Sequence, residues 1–125
     1  MNSDPLMQLT QLKWYLRSVA NALLDQGVHA DGMSREAAMR LMVHDAFEEQ
    51  SEADAKWVRI ELTSAQLSTY FVGLQEHVAL RDEAIRRWGR SFSLERYHDA
   101  VLSYGSPPVK YVRALLFDLP IPTDW

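Results

Sequence analysis

A chain of 125 residues that is 47% hydrophobic and 24% charged has the size and balance of one folded domain and not of a disordered tract. Its net charge of −4 gives no general attraction to nucleic acid or anionic lipid, both of which want a basic surface. With no cysteine there are no disulfides and no thiolate metal site, and the redox compartment stays open. No apolar run approaches the ~20 residues that cross a bilayer, and Met1-Asn2-Ser3-Asp4-Pro5 lacks the basic start and apolar stretch of a secretion signal. A cytoplasmic location follows if this is the complete polypeptide.

Helical periodicity dominates the rest. Leu9, Leu12, Leu16, Val19 and Leu23 repeat at steps of three and four, which predicts one helix face over residues 4–26. Ser3 is its expected N-cap, Asp4 and Pro5 suit its first turn, and Gly27 is its expected stop. Residues 28–33 read as a loop. Ser34 caps a second helix, with Glu36 in its first turn and Met39, Met42 or Val43, and Ala46 or Phe47 on its apolar face. The pattern breaks around residues 48–51, where Ser51 and Asp54 resemble a new start before a short helix with Trp57 and Ile60 inward.

The longest signal is Leu67, Tyr70 or Phe71, Leu74, Val78, Arg81, Ile85 and Trp88, closed by Gly89. It predicts a long central helix near residues 64–88, in which Gly73 lets a neighbour come close. Ser93 caps the next helix, with Phe92 and Tyr97 spaced as a hydrophobic staple. That helix ends at Gly105. Pro107 and Pro108 open the last, and Pro120 and Pro122 forbid its extension. The expected fold is a single all-α domain over residues 1–125, about six helices in an orthogonal or irregular bundle.

Catalytic patterns are scarce. No two of His29, His44, His77 and His98 have the one-turn spacing of zinc hydrolases. His44 and Glu48 read as a solvated i,i+4 contact, and the acidic run Glu48, Glu49, Glu52, Asp54 as solvent-facing. Glu95 and His98 match one half of a di-iron carboxylate motif whose second copy is missing. No serine sits in a Gly-x-Ser-x-Gly elbow. Arg86, Arg87 and Arg90 complement the negative end of the long helix.

Three stretches together are similar to one family. Asp25-Gln26-Gly27-Val28-His29 with Gly32-Met33-Ser34-Arg35-Glu36-Ala37 resembles its Asp-Thr-Gly-Leu-His segment and the Gly-Trp-Ser/Thr-Arg-Glu-x-Ala that follows. Arg59 through Gln66, Tyr70 and Gly73 resemble its Arg-Tyr…Pro-Gly-Gln-Ala…Ser-Tyr-x-x-Gly. Phe92-Ser93-Leu94-Glu95-Arg96-Tyr97-His98-Asp99-Ala100-Val101-Leu102, with Gly105 and Pro108, resembles its Phe-Asp-Leu-x-x-Phe-His-Asp-x-Leu-Leu-x-x-Gly-x-x-Pro. The family is the mostly bacterial group catalogued as domain of unknown function 885, whose full members look like helical zinc metallopeptidases.

The resemblance implies that this chain is the C-terminal part of a longer protein whose zinc ligands lie upstream. It would then be non-catalytic alone, with no cofactor or metal ligand of its own, a scaffold and one wall of a peptide cleft. It further implies Tyr70 as a donor to the oxyanion and Gln66, Arg59 and His29 as substrate contacts. Spacing alone puts Tyr70 on the apolar stripe of the long helix, as core. Ile60, Ser64-Ala65 and Asn21 depart from the family's Tyr, Pro-Gly and Arg. The alternative is a free-standing, non-enzymatic helical interaction module; an independent metalloenzyme is a third reading. Trp14 and Tyr15, off the main stripe of helix one, predict an apolar surface covered by homo-oligomerisation or by a missing N-terminal metal-binding portion. No nucleic-acid or membrane partner is expected.

Overall fold

The computed structural model describes residues 4–123, and every regular element among them is helical. In chain order these are α1 (Pro5–His29), α2 (Arg35–Arg40) running into a π-helical turn (Leu41–Asp45), and α3 (Gln50–Leu62). Then come α4 (Thr69–Trp88), a 3-10 turn (Gly89–Ser91), α5 (Leu94–Ser103) and α6 (Val109–Leu116). The all-α expectation of about six helices holds. The chain divides into two compact units, Met1–Val72 and Gly73–Trp125.

The first unit closes around Leu24, Ala38, Met42, Ala53, Ile60 and Leu67, with Val28, Met33 and Trp57 packed against them. Local chemistry sets its elements. Asp4, and not Pro5 alone, starts α1: its carboxylate accepts from the Leu6 amide at 3.0 Å, while Pro5 fills the first helical position. Ser3, the expected cap, lies outside the described residues. Gly27 does not end α1, which continues to His29. A Cβ there would collide with the Met33 side chain, so this glycine lets Met33 lie against the helix. Close approach was expected at Gly73, where nothing comes within 4 Å.

Ser34 caps α2, accepting from the Ala37 amide at 3.2 Å. The π turn after α2 ends at Ala46, and Phe47 follows with φ +55°. That break cancels the i,i+4 relation assumed for His44 and Glu48. α3 begins at Gln50 behind Glu49, not at Ser51.

The second unit packs Leu80, Ala84, Tyr97 and Val112, lined by Trp88, Phe92, Val101 and Phe117. Gly89 at φ +51° stops α4, and Gly105 at φ +77° follows α5, both in the left-handed region that glycine enters without strain. Ser93 accepts from the Arg96 amide at 3.2 Å, and the Phe92 and Tyr97 rings stand 6.1 Å apart as the staple requires. α6 stops at Leu116, before the prolines forbid it.

Two helix faces differ from the expected ones. The buried positions of α1 are Ala20, Leu24, Asp25 and Gly27, while Leu9, Leu12 and Leu23 of the predicted stripe are exposed. α4 begins at Thr69 and buries Leu80 and Ala84; Tyr70, Leu74 and Ile85 of its predicted stripe face outward. Both helices are apolar on more than one side, so periodicity finds a stripe without saying what covers it.

Glu83 ties α4 to α6. It accepts from Arg113 at 2.7 and 2.9 Å and from Arg87 at 2.8 Å. The hydrogen bond from Arg113, aided by that from Arg87 and opposed by partial burial, brings its carboxyl down to about 2. A carboxylate with a lowered folded-state pKa stabilises above its unfolded value, and the gain is lost as pH falls through the folded value. Both arginines are nearly half exposed, so screening limits the contribution to about 1 kcal/mol. Glu83→Gln is therefore expected to lower Tm by ~4 °C at pH 7. The deficit should vanish between pH 4.5 and about 2; a deficit persisting at pH 2 would exclude the ionic cause.

Candidate functional site

Two hollows with polar floors open on the first unit. The larger, about 510 Å³, is lined by Val19, Leu23, Asp25, His29, Ser68 and Phe71 among others. Its polar floor is Asp25, only 4% exposed although charged. Burial alone would raise this carboxyl. Hydrogen bonds from Ser68 Oγ (2.8 Å), the Ser68 amide (3.0 Å) and the Ala65 amide (3.1 Å), with His29 nearby, outweigh that and hold it below the ordinary value. The side chain thus fastens the end of α1 to the turn that precedes α4. Ala65 in that turn has φ +60°, a conformation disfavoured for a residue with a Cβ. His29 Nε2 stands 3.6 Å from Asp25 Oδ1.

The second hollow, about 440 Å³, is lined by Trp14, Arg17, Ser18, Asn21, Glu52, Lys56 and Tyr70. Its floor is ionic. Lys56 Nζ donates to Glu48 Oε1 at 2.6 Å and to Asn21 Oδ1 at 3.0 Å, and Arg17 pairs with Glu52. Glu48 was expected in solvent with its acidic neighbours; it is 4% exposed, and its Oε2 is buried without a hydrogen-bond partner. Asn21, which departs from the Arg that the resemblance implies, accepts from Lys56, so a cation stands beside that position. The Arg17 guanidinium lies 5.3 Å from the Trp14 ring centre. Asp54, in the same acidic run, pairs with Arg35 at 2.6 Å.

The four residues proposed for a cleft separate into these places. Tyr70 is 73% exposed at the second hollow and is not core. Its own stripe-mate Phe71 is the partly buried one. His29 lines the first hollow. Arg59 donates to Gln66 Oε1 at 3.5 Å, so α3 and the turn Asp25 holds bring these two together. Sequence reasoning missed Asp25, Ser68, Lys56 and Glu48. The first had a signal, since Asp25 opens the quoted Asp-Gln-Gly-Val-His stretch. The ion pair had none, because nothing in a charge's neighbours tells whether it is buried.

Among the described residues no group of three or more His, Asp or Glu could hold a metal ion, and no helix is long and apolar enough to cross a membrane.

These features define an all-α domain with two partly polar hollows and, among its described residues, no metal-donor set. The chain belongs to the family described as bacterial protein of unknown function (DUF885), which matches residues 1–116. No curated protein matches it. A solved structure from Shewanella oneidensis, described as "a putative lipoprotein of unknown function", superposes with TM-score 0.88 at 41% identity over 93% of this chain. The match occupies 21% of that longer chain, so this chain spans about a fifth of it. A neighbour described as a lipoprotein gives no support to the cytoplasmic placement expected from the N-terminal residues.

Proposed function

We propose that the chain is the C-terminal helical part of a zinc-metallopeptidase-like protein, where it acts as scaffold and as one wall of a peptide cleft. The metal ligands belong to another part of the longer chain. The residues described here supply no donor set for zinc, and no step is assigned to a metal on this chain.

The observation that carries the reading is Tyr70. A tyrosine on an apolar helical stripe would ordinarily be buried, yet Tyr70 lies in the open beside a hollow with an ionic floor. A phenol in that position can donate to an oxyanion as its charge develops, with no cost of removing the group from a core. Arg59 and Gln66, held against each other near the turn that Asp25 fixes, offer donors to a peptide backbone, and His29 offers a polar contact in the neighbouring hollow. Support also comes from the solved relative, in which the matched fold is a fifth of the chain.

Two measurements test this. The purified 125-residue chain is expected to hold far less than one zinc per chain and to cleave no peptide. In a family-length protein carrying this segment, Tyr70→Phe is expected to lower kcat by roughly 10² with little change in KM. An unchanged kcat removes Tyr70 from the chemistry, and chelator-sensitive cleavage by the isolated chain overturns the whole reading. The free-standing interaction module gains ground if family-length proteins carrying the segment bind no zinc.

A further inference from the structure

The first half of α1 is open to solvent along its length. Residues 4–15 are all exposed, about three turns of a helix whose 25 residues span ~37 Å. On one side run Leu9 and Leu12, 63% and 64% exposed, continuing through half-buried Leu16 and Val19 to exposed Leu23. Phe47 joins this stripe from the loop after α2. Leu9, Leu12, Leu16, Ala46 and Phe47 enclose a hollow of about 370 Å³ whose only charged lining residue is Lys13.

Phe47 is the informative residue. It is 74% exposed and sits at φ +55°, between buried Ala46 and buried Glu48. Its neighbours are pinned by the Ala46 amide to Leu41 O and the Glu48 amide to Met42 O, both at 2.9 Å. The backbone therefore holds a phenyl ring outward in a conformation that costs of order 1 kcal/mol for a residue with a Cβ. Solvent returns nothing for that. An aromatic knob beside a leucine groove with few charges is the composition of an interface centre.

We infer that this face, Leu9, Leu12, Leu16 and Phe47, docks the remaining body of a family-length chain. Two observations select that occupant over a second copy. The same fold forms only 21% of the solved relative, so a large body exists there for α1 to meet. A two-fold pairing of α1 stripes would cover one side of the helix, whereas Trp14, on the opposite side at helical spacing, is 61% exposed as well. Only a partner that wraps the helix covers both. The inference rests on the reading of this chain as part of a longer protein, but needs neither zinc nor peptidase activity.

The test grafts the full chain in place of the matched fifth of the Shewanella protein and compares Leu9→Asp/Leu12→Asp and Phe47→Asp with the control Thr10→Asp, which lies off the stripe on the same exposed half. In the isolated chain all of these should leave helicity and Tm nearly unchanged, because the sites are exposed. In the graft, the stripe and Phe47 substitutions should lower Tm by about 10 °C or more, or abolish assembly, while Thr10→Asp does not. Equal melting of substituted and unsubstituted grafts overturns the inference. So does an isolated chain that forms a tight dimer dissolved by the same substitutions while the graft ignores them, which would assign the face to a second copy. An unsubstituted graft that does not assemble also counts against a shared face. Zinc in the graft is assayed separately, so loss of the peptidase reading leaves this result standing.

Discussion

Lys56→Ala is expected to destabilise the chain by about 3–5 kcal/mol, much of what a domain of this size possesses. The substitution leaves Glu48 with no cation, its side chain fully enclosed and Oε2 already without a partner. Lys56 keeps slight access to the second hollow, but water reaching it does not reach the carboxylate. The contact at 2.6 Å is therefore important because breaking it strands a charge, not because the pair is a net source of stability. That distinction gives the control: Glu48→Leu with Lys56→Met removes both charges at similar volume and should recover most of the loss. Urea denaturation reads both, as shifts in midpoint at constant m. A Lys56→Ala protein within about 1 kcal/mol of wild type would mean that Glu48 reaches solvent or a different partner.

Asp25 carries the second large effect. Asp25→Ala removes the acceptor of three hydrogen bonds and leaves the part-buried Ala65 and Ser68 amides without it. Hydrogen bonds to an ionised acceptor are worth about 1.5–3 kcal/mol each, and they overlap at one carboxylate, so a total near 3 kcal/mol is expected. Asp25→Asn should lose nearly as much, since its NH₂ would point at N–H donors. Ser68→Ala should lose about half. Because this carboxyl is held below its ordinary value of 3.8, its contribution is complete above the unfolded value and is lost as pH falls through the folded one. The gap between wild type and Asp25→Ala should therefore close in acid below about pH 4. A pH-independent gap would point to packing and not to the charge. The same substitution should release the 64–68 turn and, with it, the Arg59–Gln66 contact, visible as faster amide exchange there.

Much of the local structure was legible because it depends on neighbours in sequence. Ser34 and Ser93 cap helices since a hydroxyl two or three residues from free amides needs no distant partner. Phe92 and Tyr97 meet for the same reason. Gly89 and Gly105 end helices through their own backbone freedom. The errors have one origin. Gly27 is placed by Met33, the turn at residues 63–68 by Asp25, and Glu48 by Lys56, partners six to forty-three residues away. The candidate site was legible only where a resemblance reached it: Tyr70, His29, Arg59 and Gln66 were named, while the charges that build the floors of both hollows were not.

The sequence by itself determined that this chain is helical, where most of its helices start, and that it has the local patterns of its family. Only the tertiary structure decided which face of α1 and α4 is buried, and which charges lose their water. Periodicity reports that a helix has an apolar side; burial depends on what packs there, and for the outward leucines of α1 neither packed core among the described residues supplies that partner.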